Sequence, residues 1–443
     1  MSFPPYEIYK STEYDWLGTI PTSWRTQKFR HLFKESSEKI EGEVFGEMLS
    51  VSGYRGIQRK EYDDENRRRS EEDLVGYRIV RKGQLVVNTM WLNYAGLGFS
   101  ELDGHVSPAY RSYWPKSDEY SKYLHYLLRS EHYVKGYTRL LTGVRPNSLQ
   151  MSRDNMMSFP VVLPPKAEQI AIATFLDRET AKIDALIAEQ KRLIELLQEK
   201  RQAVISHAVT KGLNPNAPMK DSGVEWLGDV PEHWGVRRLR HIGTLQNGLN
   251  ISGEAFGEGD PFISYGDVYK NPNVPQKPAG LVRSTPEDKQ KYGLERGDVL
   301  FTRTSETVDD IGVASTCLEQ IPHSTFAGFL IRLRPLKGVL EPRYSTHLFR
   351  NQGVKTHFAG TMNMVTRASL SQGELGNLAI CLPSLDEQLK IASAIEEMAG
   401  QSDQLISSAW KLVALLQERR SALISAAVTG QIDVRGLTEE VAA

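Results

Sequence analysis

Cysteine is nearly missing from this chain: 443 residues contain two, Cys317 and Cys381. Two thiols 64 positions apart exclude a disulfide framework and suit a reducing compartment. Long apolar runs are also missing. No stretch approaches the ~18 residues that a membrane-spanning helix needs, and Met1–Lys10 lacks the basic and apolar regions of a signal peptide. A cytoplasmic, membrane-free protein is expected. Charge of one sign is in short supply as well: 54 Lys and Arg stand against 55 Asp and Glu, for a net charge of −1. Phosphate neutralisation needs a local excess of cations, so any nucleic-acid surface here must come from clustering.

Catalytic signatures are absent too. There is no Asn/Asp-Pro-Pro-aromatic motif of amino-methyltransferases, no glycine-rich loop after a strand for S-adenosylmethionine, and no Walker A sequence. Asn214-Pro215-Asn216 reads as a turn. Pro286-Glu287-Asp288-Lys289 lacks nuclease spacing and reads as a helix start. No His-Glu-x-x-His pair occurs, and His125 and His132, seven apart on an expected helix, read as surface residues rather than metal ligands. No cofactor, no metal and no catalytic residue is expected.

What the sequence does have is an internal repeat. Residues 163–210 and 382–429 align without a gap over 48 positions, 21 of them identical. Both copies open on Leu-Pro followed by Glu-Gln (Glu168-Gln169, Glu387-Gln388) and close on Leu-Leu-Gln-Glu and then Ala-Val-Thr. Upstream, Trp16-Leu17-Gly18, Pro21, Trp24, Arg30 and His31 recur as Trp226-Leu227-Gly228, Pro231, Trp234, Arg240 and His241. Between these shared ends the halves differ widely, so similar frames hold two dissimilar inserts.

Each constant segment predicts a long helix. Pro164 and Pro165, or Pro383, stop a strand, and in the first copy neither Pro nor Gly follows until Gly212. Leu186, Leu193, Leu197 and Val204, with Leu405, Leu412, Leu416 and Leu423, have the 7-4-7 spacing of a coiled-coil seam. A second stripe, Ile187, Ile194, Leu196 and Ile205 with Ile406, Val413, Leu415 and Ile424, is expected to face outward as a partner interface. A helix packed on its own domain is the alternative. About 42 helical residues make a rod of roughly 60 Å, and parallel pairing would oblige the second insert to carry the chain back that far. Antiparallel pairing needs no detour and implies a pseudo-twofold axis.

The inserts mix short strands with helices. Gln84–Asn88, Ser107–Tyr113, Asp298–Thr302 and Ala327–Arg334 are strand-like, whereas Tyr120–Leu141 and Tyr344–Phe358 are helical. Gly83 and Gly297 precede matching strands. The expected fold class is α+β: two similar α/β domains separated by a long antiparallel two-helix coiled coil. Candidate DNA contacts are Tyr54, Arg55, Arg59 and Lys60, near Arg67–Arg69, although Glu61, Asp63, Asp64 and Glu65 also fit a solvated loop. Arg145 and Asn147 lie on a turn, Thr361, Asn363 and Arg367 occupy the corresponding place, and Arg303 and Thr304 follow a strand. Arg and Asn pair bidentately with guanine and adenine.

Trp16-Leu-Gly…Pro21…Trp24 and its second copy, Leu163-Pro-Pro-Lys-Ala-Glu-Gln169, Leu382-Pro-Ser-Leu-Asp-Glu-Gln388 and the linker Val209-Thr-Lys-Gly-Leu-Asn-Pro215 carry a resemblance. Over essentially its full length the chain resembles the specificity subunit of type I restriction-modification enzymes. The resemblance implies two target recognition domains (1–162 and 213–381) and two conserved helical regions (163–212, and 382–443 with its tail). It also implies that double-stranded DNA, two adenine methyltransferase subunits and restriction (helicase-nuclease) subunits are the partners. Those partners would supply the S-adenosylmethionine site and the ATP-driven cleavage, leaving this chain non-catalytic. The competing expectations are an interaction scaffold for proteins or RNA, and a subunit of a related defence system that methylates without its own restriction subunit.

Overall fold

A computed structural model describes residues 3–52, 56–62, 70, 72–116, 119–143, 149–251, 253–305, 311–361 and 368–437. The chain divides into two units, residues 1–191 with 410–443, and residues 192–409. Two long helices, Lys166–Lys211 and Leu385–Val428, contribute one half to each unit. Both begin directly after the prolines that end the preceding strands, Pro160–Leu163 and Ala379–Leu382.

In the first unit, four antiparallel strands form the sheet Phe33–Glu35, Tyr110–Pro115, Leu85–Asn88, Leu97–Phe99, in that spatial order. Leu85–Asn88 is buried along its whole length, as a central strand of branched apolar residues should be. A second sheet orders Gly56–Arg59, Glu47–Ser52, Gly104–Val106 and Arg78–Val80, with one parallel pairing. The expected helix over 120–141 is two helices, Ser121–Arg129 and Glu131–Thr138. Ser130 breaks it, because its side chain accepts the Tyr133 N–H and starts the second helix.

The second unit repeats this scheme with different residues. Its antiparallel sheet runs Gly243–Asn247, Leu330–Pro335, Val299–Thr302, Ala314–Thr316. A smaller sheet orders Gly280–Val282, Phe256–Ile263 and Thr325–Phe326. Helices Pro342–Phe349 and Gln352–Thr361 stand where one was expected. Pro286–Tyr292 is a helix with Pro in its first turn and a reciprocal Thr285–Asp288 capping box, as read from sequence. Gly83 and Gly297 adopt φ of 88° and 95°, and each N–H donates across the turn at 2.7 Å, to Ser100 and Cys317, so the shared turn is real.

The repeated Glu-Gln pair fastens each long helix to its insert. Gln169 accepts the Tyr120 N–H at 3.0 Å and donates to the Pro164 carbonyl at 2.9 Å, both at the mouth of the 121–129 helix. Gln388 accepts the Glu341 N–H at 2.8 Å and donates to Val339 and Pro383 at 3.0 Å, the same joint in the second unit. Glu168 accepts from Tyr6 Oη and, at 3.0 Å, from the indole of fully buried Trp24. Trp16 and Trp226 lie against Gly136 and Gly353, where a Cβ would meet the indole at 2.7 Å in both cases. The recurring tryptophans are thus joinery between frame and insert, each seated against a glycine of the insert.

The two long helices pair antiparallel within each unit. In the first, Ile183 and Ile187 pack with Val413 and Leu416, and Arg420 donates to Asp184 at 2.9 Å. In the second, Arg201 reaches Asp403 at 3.4 Å. These are the same pair in the repeat, since Asp184 aligns with Asp403 and Arg201 with Arg420.

The seam itself needs correction. Ile187, Ile194 and Val413, expected to face outward, are only 3–6% exposed. Ile205 and Ile424 pack against the cores of their own units, and Ile406 is half-buried. Of the expected outward stripe, Leu196 and Leu415 are the members that do face solvent, at 45% and 61% exposure. Conversely Leu186, Leu193, Leu405 and Leu412, expected in the seam, are 42–57% exposed. The observed seam follows alternating spacings of four and three: 183, 187, 190, 194, 197, 201, 204, and the equivalents 219 positions later. It therefore includes Gln190, Ala409 and the two arginines, which an apolar-only search passes over.

Candidate nucleic-acid interface

Each unit ends its central strand in a tip, and both tips are built alike. In the first, the Thr89 carbonyl accepts the Met151 N–H at 3.0 Å, and Gln150 Nε2 donates to Thr89 Oγ1 at 3.3 Å. Thr142 and Gln150 exchange backbone hydrogen bonds of 3.1 and 2.9 Å, closing the flanks of the segment that holds Arg145 and Asn147. In the second, the Arg303 carbonyl accepts the Leu370 N–H at 2.7 Å, the equivalent bond. Thr304 and Ser305 pair with Ser369 and Ala368, which follow directly on the segment holding Asn363 and Arg367. The structure thus joins Arg303 and Thr304 to residues 368–370, a pairing that sequence alone could not show.

Tyr54, Arg55, Arg145, Asn147, Asn363 and Arg367 lie outside the described residues, as do Arg67–Arg69. Thr361 closes the helix Gln352–Thr361. Arg59 is ion-paired with Glu47 at 2.6 Å, both well exposed. Lys60 Nζ sits 5.1 Å from the Tyr62 ring. A solvated pair of that kind contributes about 0–1 kcal/mol.

Behind each tip lies an arginine whose guanidinium is spent on backbone carbonyls. Arg129 donates to Ala95 at 3.2 Å, to Leu97, and to Ser52 at 3.3 Å. It thereby ties the 91–96 turn and the strand end before Tyr54 to one helix. Arg350, at the equivalent place, donates to Ala314 at 2.6 Å and to Val268, Tyr269 and Asn271 at 3.0–3.1 Å. Burial lowers the pKa of both arginines, Arg129 to about 10 with the Arg420 charge adding to the effect. Both remain cations at neutral pH. His125, expected on the surface, lies one turn before Arg129 and beside Gly56 and Gly98. Burial and the Arg129 charge depress its pKa to about 4. His132 stacks on Trp16, ring centres 5.5 Å apart.

Three exposed rings at the tips escaped the sequence reading: Trp91 (56% exposed), Tyr94 (60%) and Phe329 (62%). They have no periodicity and no counterpart in the other half. The signal that could have found them is a bulky aromatic in a turn just beyond a buried strand.

A cavity of about 740 Å³ in the second unit is lined by Arg201, Arg343, His347, Arg350, Lys355 and Glu396. Its arginines are already engaged: Arg201 by Asp403, Arg343 by Glu396, Arg350 by carbonyls. Cys317 and Cys381 are buried thiols whose pKa burial pushes up to about 12, which makes them unreactive. Among the described residues no cluster of His, Cys, Asp and Glu could hold a metal, and no helix is long and apolar enough to cross a membrane.

Comparison with known proteins gives one consistent likeness. Residues 231–406 match the model of the type I restriction modification DNA specificity domain. The chain is similar to the EcoKI specificity subunit of Escherichia coli K12, with 23% identity over 334 residues, covering 73% of this chain and 68% of that one. The chain is thus similar to the specificity subunits of type I restriction-modification enzymes. A putative MjaX specificity subunit of Methanocaldococcus jannaschii is 29% identical over 203 residues, 45% of this chain and 46% of the relative. In fold, the chain is similar to the HsdS subunit of Thermoanaerobacter tengcongensis, with TM-score 0.52, 16% identity and coverage of 93% and 98%. A second neighbour, from a study of complex assembly and conformational transition of the type I R-M system, gives TM-score 0.67 at 15% identity, covering 92% and 98%. The matched model is described as a DNA specificity domain, and these relatives are named specificity subunits.

Proposed function

We propose that this chain is a type I specificity subunit that reads an asymmetric, two-part site on double-stranded DNA, residues 1–162 taking one half and 213–381 the other. The observation that supports it best is the doubled tip: one scaffold, with Thr89 and Arg303 in the same bonded position, carries two dissimilar sets of side chains. A repeated frame with unlike tips is what two unlike half-sites require. Phosphate contacts set position and a few base contacts specify. The proposed readers are Arg145 and Asn147 in the first domain, and Arg303, Thr304, Thr361, Asn363 and Arg367 in the second. Tyr54, Arg55, Arg59 and Lys60 stand as further contacts.

The conserved helices, residues 163–212 and 382–443, scaffold two adenine methyltransferase subunits, with restriction subunits binding in addition, in the cytoplasm. The solvent-facing leucines support this: Leu186, Leu193 and Leu196 recur as Leu405, Leu412 and Leu415, each at least 42% exposed. Apolar surface that repeats within one chain suits two copies of one partner.

Replacing Arg145 by Ala should relax specificity in one half-site at a cost of about 1–3 kcal/mol. Methylation of every sequence at wild-type levels would remove Arg145 from the readers. Adding seven residues to both long helices should lengthen them by ~10 Å, a preferred spacer change of roughly three base pairs at about 3.4 Å each. An unchanged spacer would show that the helices are not the ruler.

A further inference from the structure

We infer that Trp91 and Tyr94 in the first unit, and Phe329 in the second, are non-polar contacts to the bases of duplex DNA. The inference rests on the DNA-reading function proposed above and adds residues to it that carry no hydrogen-bonding code.

The rings are held out by rigid turns. Leu92 is fully buried and anchors the first turn, while Gly96 and Tyr94 both donate to the Trp91 carbonyl, at 2.9 and 3.0 Å. Ala95 takes the left-handed conformation at φ 55°, and its carbonyl accepts from Arg129. A Cβ on Gly96 would lie 2.5 Å from the Trp91 carbonyl oxygen, so glycine is required there. The two exposed rings sit 5.6 Å apart on this support. Phe329 stands at the corner of the turn Ala327–Leu330, closed by a 3.0 Å bond, and its carbonyl accepts the Arg303 N–H at 3.0 Å. The preceding residue, Gly328, packs against the Asn250 side chain, which a Cβ there would displace. A turn this constrained presents a large apolar side chain to solvent in one orientation, with little left to order on binding.

Their occupant follows from what repeats and what does not. The exposed leucines of the long helices recur in both halves, as contacts to a duplicated protein partner would. The exposed tip rings do not recur: the positions equivalent to Trp91 and Phe329 hold Ser305 and Ala109. Side chains that differ between otherwise matching tips belong with the surface that differs, which is the two half-sites. Trp91 lies two residues beyond Thr89, which is bonded to Gln150 and Met151, and Phe329 is bonded to Arg303, a proposed polar reader. An aromatic ring beside such groups packs on thymine methyls or wedges at a base step.

The test uses the complete complex of full-length chain with its methyltransferase subunits, and a fluorescent duplex carrying the methylated motif. Trp91→Ala with Tyr94→Ala should weaken binding about tenfold or more and relax sequence preference in one half-site; Phe329→Ala should do so in the other. Trp91→Phe with Tyr94→Phe should restore most of the affinity, and subunit assembly by mass should be unchanged throughout. Unaltered affinity and half-site preference in the alanine variants would overturn the inference. So would loss of methyltransferase subunits with DNA binding intact, which would give the rings to a protein partner. If the unsubstituted complex shows no sequence-selective DNA binding, the DNA-reading function fails first, and the inference with it.

Discussion

Arg129 holds together more of the first unit's tip than any aromatic near it, through hydrogen bonds to three backbone carbonyls, at the 91–97 turn and strand start and at the strand end at Ser52. Arg129→Met keeps the packing volume and removes the donors. It should destabilise the unit by about 1.5–3 kcal/mol, the range for hydrogen bonds to a charged group, read as a lower midpoint in urea unfolding. His125 adds a pH dependence. Its folded pKa of about 4 lies below the ordinary 6.5, so the unfolded chain binds the proton more readily. Stability is therefore full above about pH 6.5 and falls as pH drops toward 4, by up to about 3 kcal/mol for two and a half pK units. His125→Gln should flatten that part of the stability curve, and an unchanged slope would assign it to another group. Neither residue's role was legible in sequence. The Glu-Gln pair was visible by recurrence, but its work as a clasp depends on Tyr120, 49 positions away from Gln169.

At the scale of the element, the long helices were readable and their faces were not. Two prolines and an uninterrupted apolar pattern fixed where the helices start and how far they run. The seam was misplaced because its apolar residues come in doublets, Leu186-Ile187, Leu193-Ile194 and Leu196-Leu197. Spacing accepts either member of a doublet, and the true seam carries Arg201 and Arg420, which hydrophobicity cannot flag. The distinction is measurable. Ile187→Ala should cost about 2–4 kcal/mol as a buried deletion, whereas Leu186→Ala, on the solvent face, should cost less than about 0.5 kcal/mol while weakening methyltransferase assembly. Equal costs would contradict the observed seam. The Asp184–Arg420 pair is half-buried and sits in the antiparallel register that Asp403–Arg201 repeats. Arg420→Ala should cost about 1–2 kcal/mol, between the values for exposed and buried pairs.

At the scale of the whole chain, alternation of constant and variable segments was plain from the repeat, and the α+β class of each insert followed from its strand and helix patterns. The tips were not plain, because their residues have no period and differ between the halves. Chain neutrality fits the proposed division: with a net charge of −1 the molecule has no general attraction for phosphate, so the proposed reading depends on local contacts. The most direct test of the central claim is single-molecule sequencing of DNA from cells that express this chain with its cognate methyltransferase. The account predicts one modified adenine in each half of a single gapped, asymmetric motif, lost when the chain is omitted. An active methyltransferase whose modified motif does not depend on this chain would contradict it.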